Sequence, residues 1–269
     1  MTDTAPPAPG ASIAIEGVPN LRDLGGWATP DGVVRRGVAY RSALVHELGP
    51  EAAGALRALG LRRVVDFRTE AERAAEPSGT PSDLDGVAID VLGSVPGGAP
   101  AQLQALLADP AVAEQHLGGG RGVELMTRAY RDIVDLPSAV SGYRRFFDDL
   151  ADPRLRPVLF HCATGKDRTG WAAAVLLLAL GVALDDVVAD YLATNDQLLP
   201  ALEPQLARAE AAGVPRDLLV PVLGVRREYL QTALDEMESR FGTVDRYLTE
   251  GLGLDPSTLA RLRDELVER

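Results

Sequence analysis

The sequence predicts an α/β domain with a largely parallel central sheet flanked by helices, followed by additional helices toward the C-terminus. Three observations carry that prediction. Short apolar runs bounded by turn residues alternate with helical patterns as far as Leu184. One of them, PVLFH at 157–161, is apolar without alternation, as strands buried on both faces are. Beyond Leu184 the pattern is almost wholly helical.

Taken in order, the opening MTDTAPPAPGASI is rich in Pro, Ala and small polar residues and lacks the basic start and apolar core of a signal peptide. Residues 1–12 therefore read as a disordered tail, and 13–269 as one domain of a cytoplasmic protein. GVVRRGVAYRSA (32–43) reads as a strand of mixed pattern, GPEAAGALRALG (49–60) as a short helix with glycine at each end, and LRRVVDFRT (61–69) as a strand centred on 64–67. GVAIDVLG (86–93) reads as a further strand. The region 101–151 is mostly helical, with Pro153 as its stop.

After 157–161 comes a turn, then a helix from about Arg168 to Leu180. Helices are expected at 185–195, at 198–213, where prolines interrupt the pattern, and at 225–242, closed by Gly242. A last helix spans 255–269, with Asp255 or Ser257 as cap and Pro256 in its first turn. This is more helix than one sheet face needs. Residues 198–240 are candidates for a lid over a site, and equally for ordinary packing.

Composition narrows the function. A single cysteine excludes an internal disulfide and any multi-cysteine zinc or iron–sulfur site, so no metal is expected. The formal net charge of -12 repels nucleic acid and anionic membrane surfaces, so an anionic substrate needs a local cationic site. The longest apolar run, GWAAAVLLLALGVAL from 170 to 184, falls short of the ~20 residues that span a bilayer, which argues against stable membrane insertion.

The one cysteine stands in HCATGKDRTG (161–170), between the buried strand and the buried helix. Helix N-termini carry unpaired N–H groups and partial positive charge, and they bind phosphate readily. Gly165 allows the backbone to curl so that Ala163, Thr164, Gly165 and Lys166 present their N–H groups to one point. Arg168, six residues after Cys162, can fork onto two phosphoryl oxygens. The field that holds a phosphate also favours a thiolate, the nucleophilic form of cysteine. The turn reads as a device for forming a cysteinyl-phosphate intermediate.

HCATGKDRTG resembles the signature loop of cysteine-dependent phosphatases, His-Cys-x5-Arg-Thr/Ser. The chain is similar to the bacterial tyrosine phosphatase family typified by the secreted mycobacterial protein tyrosine phosphatase B, whose loops have the form HC-x-x-GKDRTG. NLRDLGG (20–26), YRSA (40–43), VDFRTEAERAAEP (65–77) and REYLQTALDEMESRFG (227–242) extend the resemblance over nearly all the chain after about residue 13. The resemblance implies a phosphatase-like α/β fold and hydrolysis of phosphate monoesters without a cofactor. Phosphotyrosine on proteins is the first expected substrate, with phosphoserine, phosphothreonine or phosphoinositides beside it.

It also implies roles for individual residues. Cys162 is the nucleophile, Arg168 and the loop through Gly170 bind phosphate, and His161 braces the backbone. Thr169 supplies a hydroxyl to the departing thiolate. Neither Trp27 nor Trp171 is followed by Pro-Asp, so the usual source of a general acid in tyrosine phosphatases is missing. Asp167, inside the loop, is the candidate acid, with a helix-capping carboxylate as its bland alternative. Asp66 is the runner-up, and Asp132 a third candidate within a helical pattern. Lys166 adds a cation that phosphoinositide phosphatases share, or is a solvated lysine. Arg41 and Arg68 either line the pocket or serve as structural ion-pair partners. A pseudophosphatase that binds without turnover and a rhodanese-like sulfurtransferase are the rival functions.

Overall fold

A computed structural model describes residues 7–95 and 108–269. Residues 1–6 of the expected tail and 96–107, which include the start of the expected helical region 101–151, lie outside the described residues. Five strands form the main sheet: β1 (Arg22–Asp23), β4 (Ala39–Ser42), β5 (Arg63–Asp66), β6 (Asp85–Ala88) and β7 (Val158–His161). Their order is β1-β4-β7-β5-β6, and every pairing is parallel except β1 with β4. The unbroken apolar run that announced β7 is explained by its position, since it lies at the centre and every residue is buried. A second, antiparallel sheet joins β2 (Ala28–Thr29), β3 (Gly32–Val34) and β8 (Val267–Glu268), so the C-terminus is paired to the first third of the chain.

Several expected boundaries move for identifiable reasons. The strand expected over 32–43 is two strands, β3 and β4, in different sheets. Arg35 turns its N–H to the carbonyl of Leu266 rather than into the main sheet. Residues 7–12 are not a loose tail. Ala11 bonds Ala8, Arg36 donates to the carbonyl of Pro7 at 2.7 Å, and Ser12 bridges to Arg22. The strand expected over 86–93 starts at Asp85 and ends at Ala88, and the segment beyond it buries Ile89 and Val91.

The helices cover the sheet. Helix α1 (Pro50–Ala58) and the short α2 (Glu70–Ala75) follow β4 and β5. Next come α3 (Pro110–Leu117), α4 (Arg121–Asp132), α5 (Pro137–Ala151) and α6 (Arg168–Ala179). Helix α6 is buried almost all round, which its Ala, Val and Leu run requires, and it carries the turn of interest at its N-terminus. Phe67, Phe146 and Phe160 meet beneath it with ring centroids 4.8–6.0 Å apart, closing the core between sheet and helices.

The two helices expected at 185–195 and 198–213 are one, α7 (Leu184–Ala211), with Pro200 and Pro204 inside it. Both prolines are exposed. Each removes one helix hydrogen bond, but the carbonyls set free lie on the solvent side, where water satisfies them. The prolines therefore mark no break at residue 198. Helices α8 (Arg216–Leu223) and α9 (Arg227–Phe241) follow, then α10 (Pro256–Leu266), capped through Asp255 Oδ1 onto Ser257 N at 2.8 Å. The second half of α7, α8 and α3 share a small apolar cluster of their own, including Ala113, Leu117, Leu206, Val214 and Leu219. No helix among the described residues is long and apolar enough to cross a membrane.

Candidate active site

Parallel register assembles the site. His161 at the end of β7 lies opposite Ser42 of β4 on one side and Asp66 of β5 on the other. Three strands thus end at one level, and the segments leaving them meet around Cys162. The cysteine is 1% exposed, on the first residue beyond β7.

From there the chain curls through Ala163, Thr164, Gly165, Lys166 and Asp167 into α6. Gly165 has φ +67°, and a Cβ there would lie 2.3 Å from the carbonyl oxygen of Ser42, so no other residue fits. The carbonyls of the curl are tied outward. That of Ala163 accepts from Leu44 N at 3.1 Å, those of Thr164 and Gly165 from Asn20 Nδ2 at 3.3 and 3.2 Å, and that of Gly165 also from Arg41 Nη2 at 2.8 Å. Among the described residues, no protein acceptor takes a backbone N–H of residues 163–168. A loop with its carbonyls bonded away and its N–H groups unspent is a receptor for an anion.

Behind the loop lies a buried charge network. Asp190 of α7 accepts from Arg22 Nε at 3.2 Å and Arg41 Nη1 at 2.6 Å, all three side chains being almost fully buried. Burial pushes the Asp190 carboxyl up, but the charges of Arg41 and Arg22 and their hydrogen bonds outweigh it and hold it below the usual range. Burial, with the neighbouring charge of Arg41, pushes Arg22 down to about 10. Arg22 also bonds Asn20 Oδ1, completing the brace to the loop. Two guanidiniums against one carboxylate leave a net positive charge behind the loop, favourable to an anion in front of it.

Arg168 is buried at the first turn of α6, where Tyr143 Oη holds its carbonyl at 3.0 Å. Its two terminal nitrogens fork onto Glu72, Nη1 to Oε2 at 2.6 Å and Nη2 to Oε1 at 2.7 Å. Glu72 is itself held by the N-terminus of α2, in a reciprocal pair of bonds with Thr69. Burial works to raise the Glu72 carboxyl, yet the bonds and charge of Arg168 bring it down to about 2. Glu72 occupies the terminal edge of the guanidinium. Among the described residues no protein acceptor takes the Nε–H, so the edge formed by Nε and Nη2 keeps an unspent donor.

Asp167 stands at the N-cap position of α6 but makes no capping bond through its side chain, contrary to the bland reading. Its Oδ1 accepts instead from Tyr130 Oη at 2.8 Å and Lys166 Nζ at 2.9 Å. Lys166 is 4% exposed, so it is not the solvated lysine of the alternative reading. His161 is fully buried, and burial lowers its pKa. The neutral ring donates Nδ1–H to the carbonyl of Cys162 at 3.1 Å, which braces the backbone at the cysteine. Thr169 is buried, and among the described residues its hydroxyl has no partner and does not bond the sulfur. A side chain at Gly170 would meet the ring of Tyr191.

Two acid candidates are corrected. Asp66 is gripped by Arg68, through Nη2 at 2.7 Å, Nε at 3.0 Å and the backbone N–H at 2.9 Å. Burial raises its carboxyl, but the hydrogen bonds and charge of Arg68 hold it below the usual range, which makes it a poorer proton donor. Asp132 is exposed at the end of α4, and the residue of that helix that reaches the loop is Tyr130. Arg41 and Arg68 are ion-pair partners rather than pocket walls.

A model of the tyrosine phosphatase family matches residues 13–268. The chain belongs to that family. A protein of Cupriavidus necator named as a tyrosine-protein phosphatase is 34% identical over 264 residues, 92% of this chain and 86% of the relative. The triple specificity protein phosphatase PtpB of Mycobacterium tuberculosis is 29% identical over 279 residues, 94% of this chain and 98% of the relative. Among solved structures, P. aeruginosa TpbA in complex with pTyr matches at 17% identity, covering 73% of this chain and 96% of that one, with a TM-score of 0.31.

Sequence reasoning missed several residues that build the site of this tyrosine phosphatase. Asn20 and Arg22 lie in NLRDLGG and Glu72 in VDFRTEAERAAEP, motifs that carry the resemblance without assigning these residues a role. Glu72 had a local signal, the Thr69-x-x-Glu72 spacing of a capping box. Asp190 had another. On α7 it shares a face with Val187, Tyr191 and Thr194, a carboxylate on the buried side of a helix, which demands a partner.

Two outcomes follow. Because the folded Glu72 carboxyl ionises about 2, below its ordinary 4.5, its stabilisation is complete above pH 4.5 and is lost as pH falls toward 2. Urea midpoints measured across that window should fall steeply for the native chain and less steeply for Glu72→Gln. Asp190→Asn leaves two buried guanidiniums without a counter-charge and should destabilise the protein by about 3–5 kcal/mol. The surviving folded fraction should bind inorganic phosphate more weakly, as measured by calorimetry, because the loop carbonyls lose their brace.

Proposed function

We propose that this tyrosine phosphatase hydrolyses phosphate monoesters, protein phosphotyrosine first, through a phosphorylated Cys162. Phosphoserine, phosphothreonine and phosphoinositides are proposed as further substrates, in a cytoplasmic setting. The observation that carries the reading is the loop 163–168, where the carbonyls of Ala163, Thr164 and Gly165 are bonded outward while, among the described residues, no protein acceptor takes a loop N–H, beside the chain's one thiol.

In the first step the phosphoryl oxygens lie against the loop N–H groups and the Nε–Nη2 edge of Arg168. The Cys162 sulfur attacks phosphorus, the S–P bond forms, and the bond to the leaving oxygen breaks. Asp167 delivers its proton to that oxygen and becomes a carboxylate. In the second step water attacks phosphorus and gives a proton to Asp167. The S–P bond breaks, and phosphate and the Cys162 thiolate are released. The hydroxyl of Thr169 suits this step, since a buried donor without a partner among the described residues is available to the departing sulfur. The intact cysteine, acid and arginine disfavour a pseudophosphatase, and the Lys-Asp-Arg sequence disfavours a sulfurtransferase.

Cys162→Ser should abolish turnover of aryl phosphates while phosphate still binds, and an active serine variant would overturn the mechanism. Asp167→Asn should slow phosphotyrosine far more than 4-nitrophenyl phosphate, by a factor within the roughly 10²–10⁴ that a general acid supplies. Equal losses would assign Asp167 a structural role.

The helices over 198–240 are proposed as a cover that admits substrate to the buried sulfur. The separate apolar cluster joining α7, α8 and α3 supports a unit that shifts as one, while α9 packs into the main core and would be its fixed edge. Leu219→Asp, placed in that cluster and checked for folding by circular dichroism, should speed both peroxide inactivation and turnover of small aryl phosphates. Unchanged rates for both would show ordinary packing.

A further inference from the structure

Two buried tyrosines from different helices converge on the proposed acid. Tyr191 of α7 donates its hydroxyl to Tyr130 Oη at 2.7 Å, and Tyr130 of α4 donates to Asp167 Oδ1 at 2.8 Å. Each tyrosine is 1% exposed, and their rings meet edge to face with centroids 6.1 Å apart. Tyr229 of α9 packs against Tyr130 from another side, at 5.8 Å, and its own hydroxyl is spent on the carbonyl of Pro221. The chain of hydroxyls is therefore directed, with Asp167 as its terminus.

Burial, reinforced by the Asp167 charge, raises both the Tyr130 and Tyr191 hydroxyls well above their ordinary range, so both remain protonated donors. Lys166 Nζ also meets Oδ1, at 2.9 Å. Among the described residues no protein donor reaches Oδ2. An oxygen facing two donors is a poor seat for a proton, whereas an unengaged carboxyl oxygen is a good one.

We infer that Tyr130, held by Tyr191, is a positioning residue that fixes Asp167 through Oδ1 and leaves Oδ2 as the oxygen that carries and delivers the proton. The inference rests on Asp167 being the general acid. Tyr130 exchanges no proton itself. Its donor faces the oxygen that shares the negative charge left when the Oδ2 proton moves to the leaving group, and it stops the carboxyl from rotating away between turnovers. The alternative is that the two hydroxyls merely satisfy each other in the core, with no consequence for proton delivery.

The test reads the ratio of kcat on 4-nitrophenyl phosphate to kcat on phenyl phosphate, because the poorer leaving group needs the acid more. Tyr130→Phe should raise this ratio about tenfold with little change in KM. Tyr191→Phe should raise it less. In the Asp167→Asn background, Tyr130→Phe should not move the ratio further, because both substitutions remove the same proton delivery. Should Tyr130→Phe fold poorly because the Tyr191 hydroxyl is orphaned, the doubly substituted Tyr130→Phe, Tyr191→Phe chain orphans no tyrosine hydroxyl and should give the same ratio. Equal losses on both substrates, or a ratio shift that persists in the Asp167→Asn background, would overturn the inference while leaving the acid assignment standing. If Asp167→Asn itself leaves the ratio unmoved, the acid assignment fails and the inference falls with it.

Discussion

The site depends on one buried carboxylate shared between two guanidiniums. Asp190 draws Arg22 and Arg41 together behind the loop, and through them it sets the positions of the Thr164 and Gly165 carbonyls. Arg22 comes from β1, Arg41 from β4 and Asp190 from α7, so the pair joins the antiparallel edge of the sheet to the long helix. Burying three charges is costly in desolvation, and such a network persists where its geometry is needed. Here that geometry turns backbone carbonyls outward and leaves the loop suited to an anion.

The same logic recurs on the other side of the cysteine. Arg168 is held by Glu72, and Glu72 by the first turn of α2. A guanidinium with one edge fixed is pre-oriented for the other, which lowers the entropy lost when it meets two phosphoryl oxygens. His161, buried and neutral, spends its one donor on the Cys162 carbonyl. Most groups that would touch substrate are positioned by a second group that would not, and the second groups arrive from β1, β4, β7, α2, α4, α5 and α7. Residues 190 and 191 are adjacent on α7, so the helix that carries on toward the candidate cover also holds the loop from behind and, through Tyr130, the proposed acid.

Much of this was legible in the linear chain. The strand, turn and buried helix around HCATGKDRTG are local features, set by an apolar run, a glycine that alone fits a left-handed turn against Ser42, and a helix whose residues are apolar on every side. Residue types and spacing therefore determined the cysteine and the arginine as candidates, together with the α/β class and its parallel sheet, while the in-loop aspartate became a candidate acid through the family resemblance. The motifs NLRDLGG and VDFRTEAERAAEP were visible too, but only as patterns without a role.

What the tertiary structure decided is which charges meet. Asp66 and Asp167 look alike as acidic residues beside basic ones, yet one is clamped by its own neighbour Arg68 and the other, among the described residues, keeps an oxygen clear of protein donors. Asp190 lies more than a hundred residues from Arg22 and Arg41 in sequence, and Tyr130 is brought to Asp167 across the fold. Proline in α7 was a local signal that misled, because a helix exposed on one side tolerates carbonyls turned to water. Short-range spacing encodes backbone shape. The pairing of buried charges is set by distances through space, which no local pattern contains.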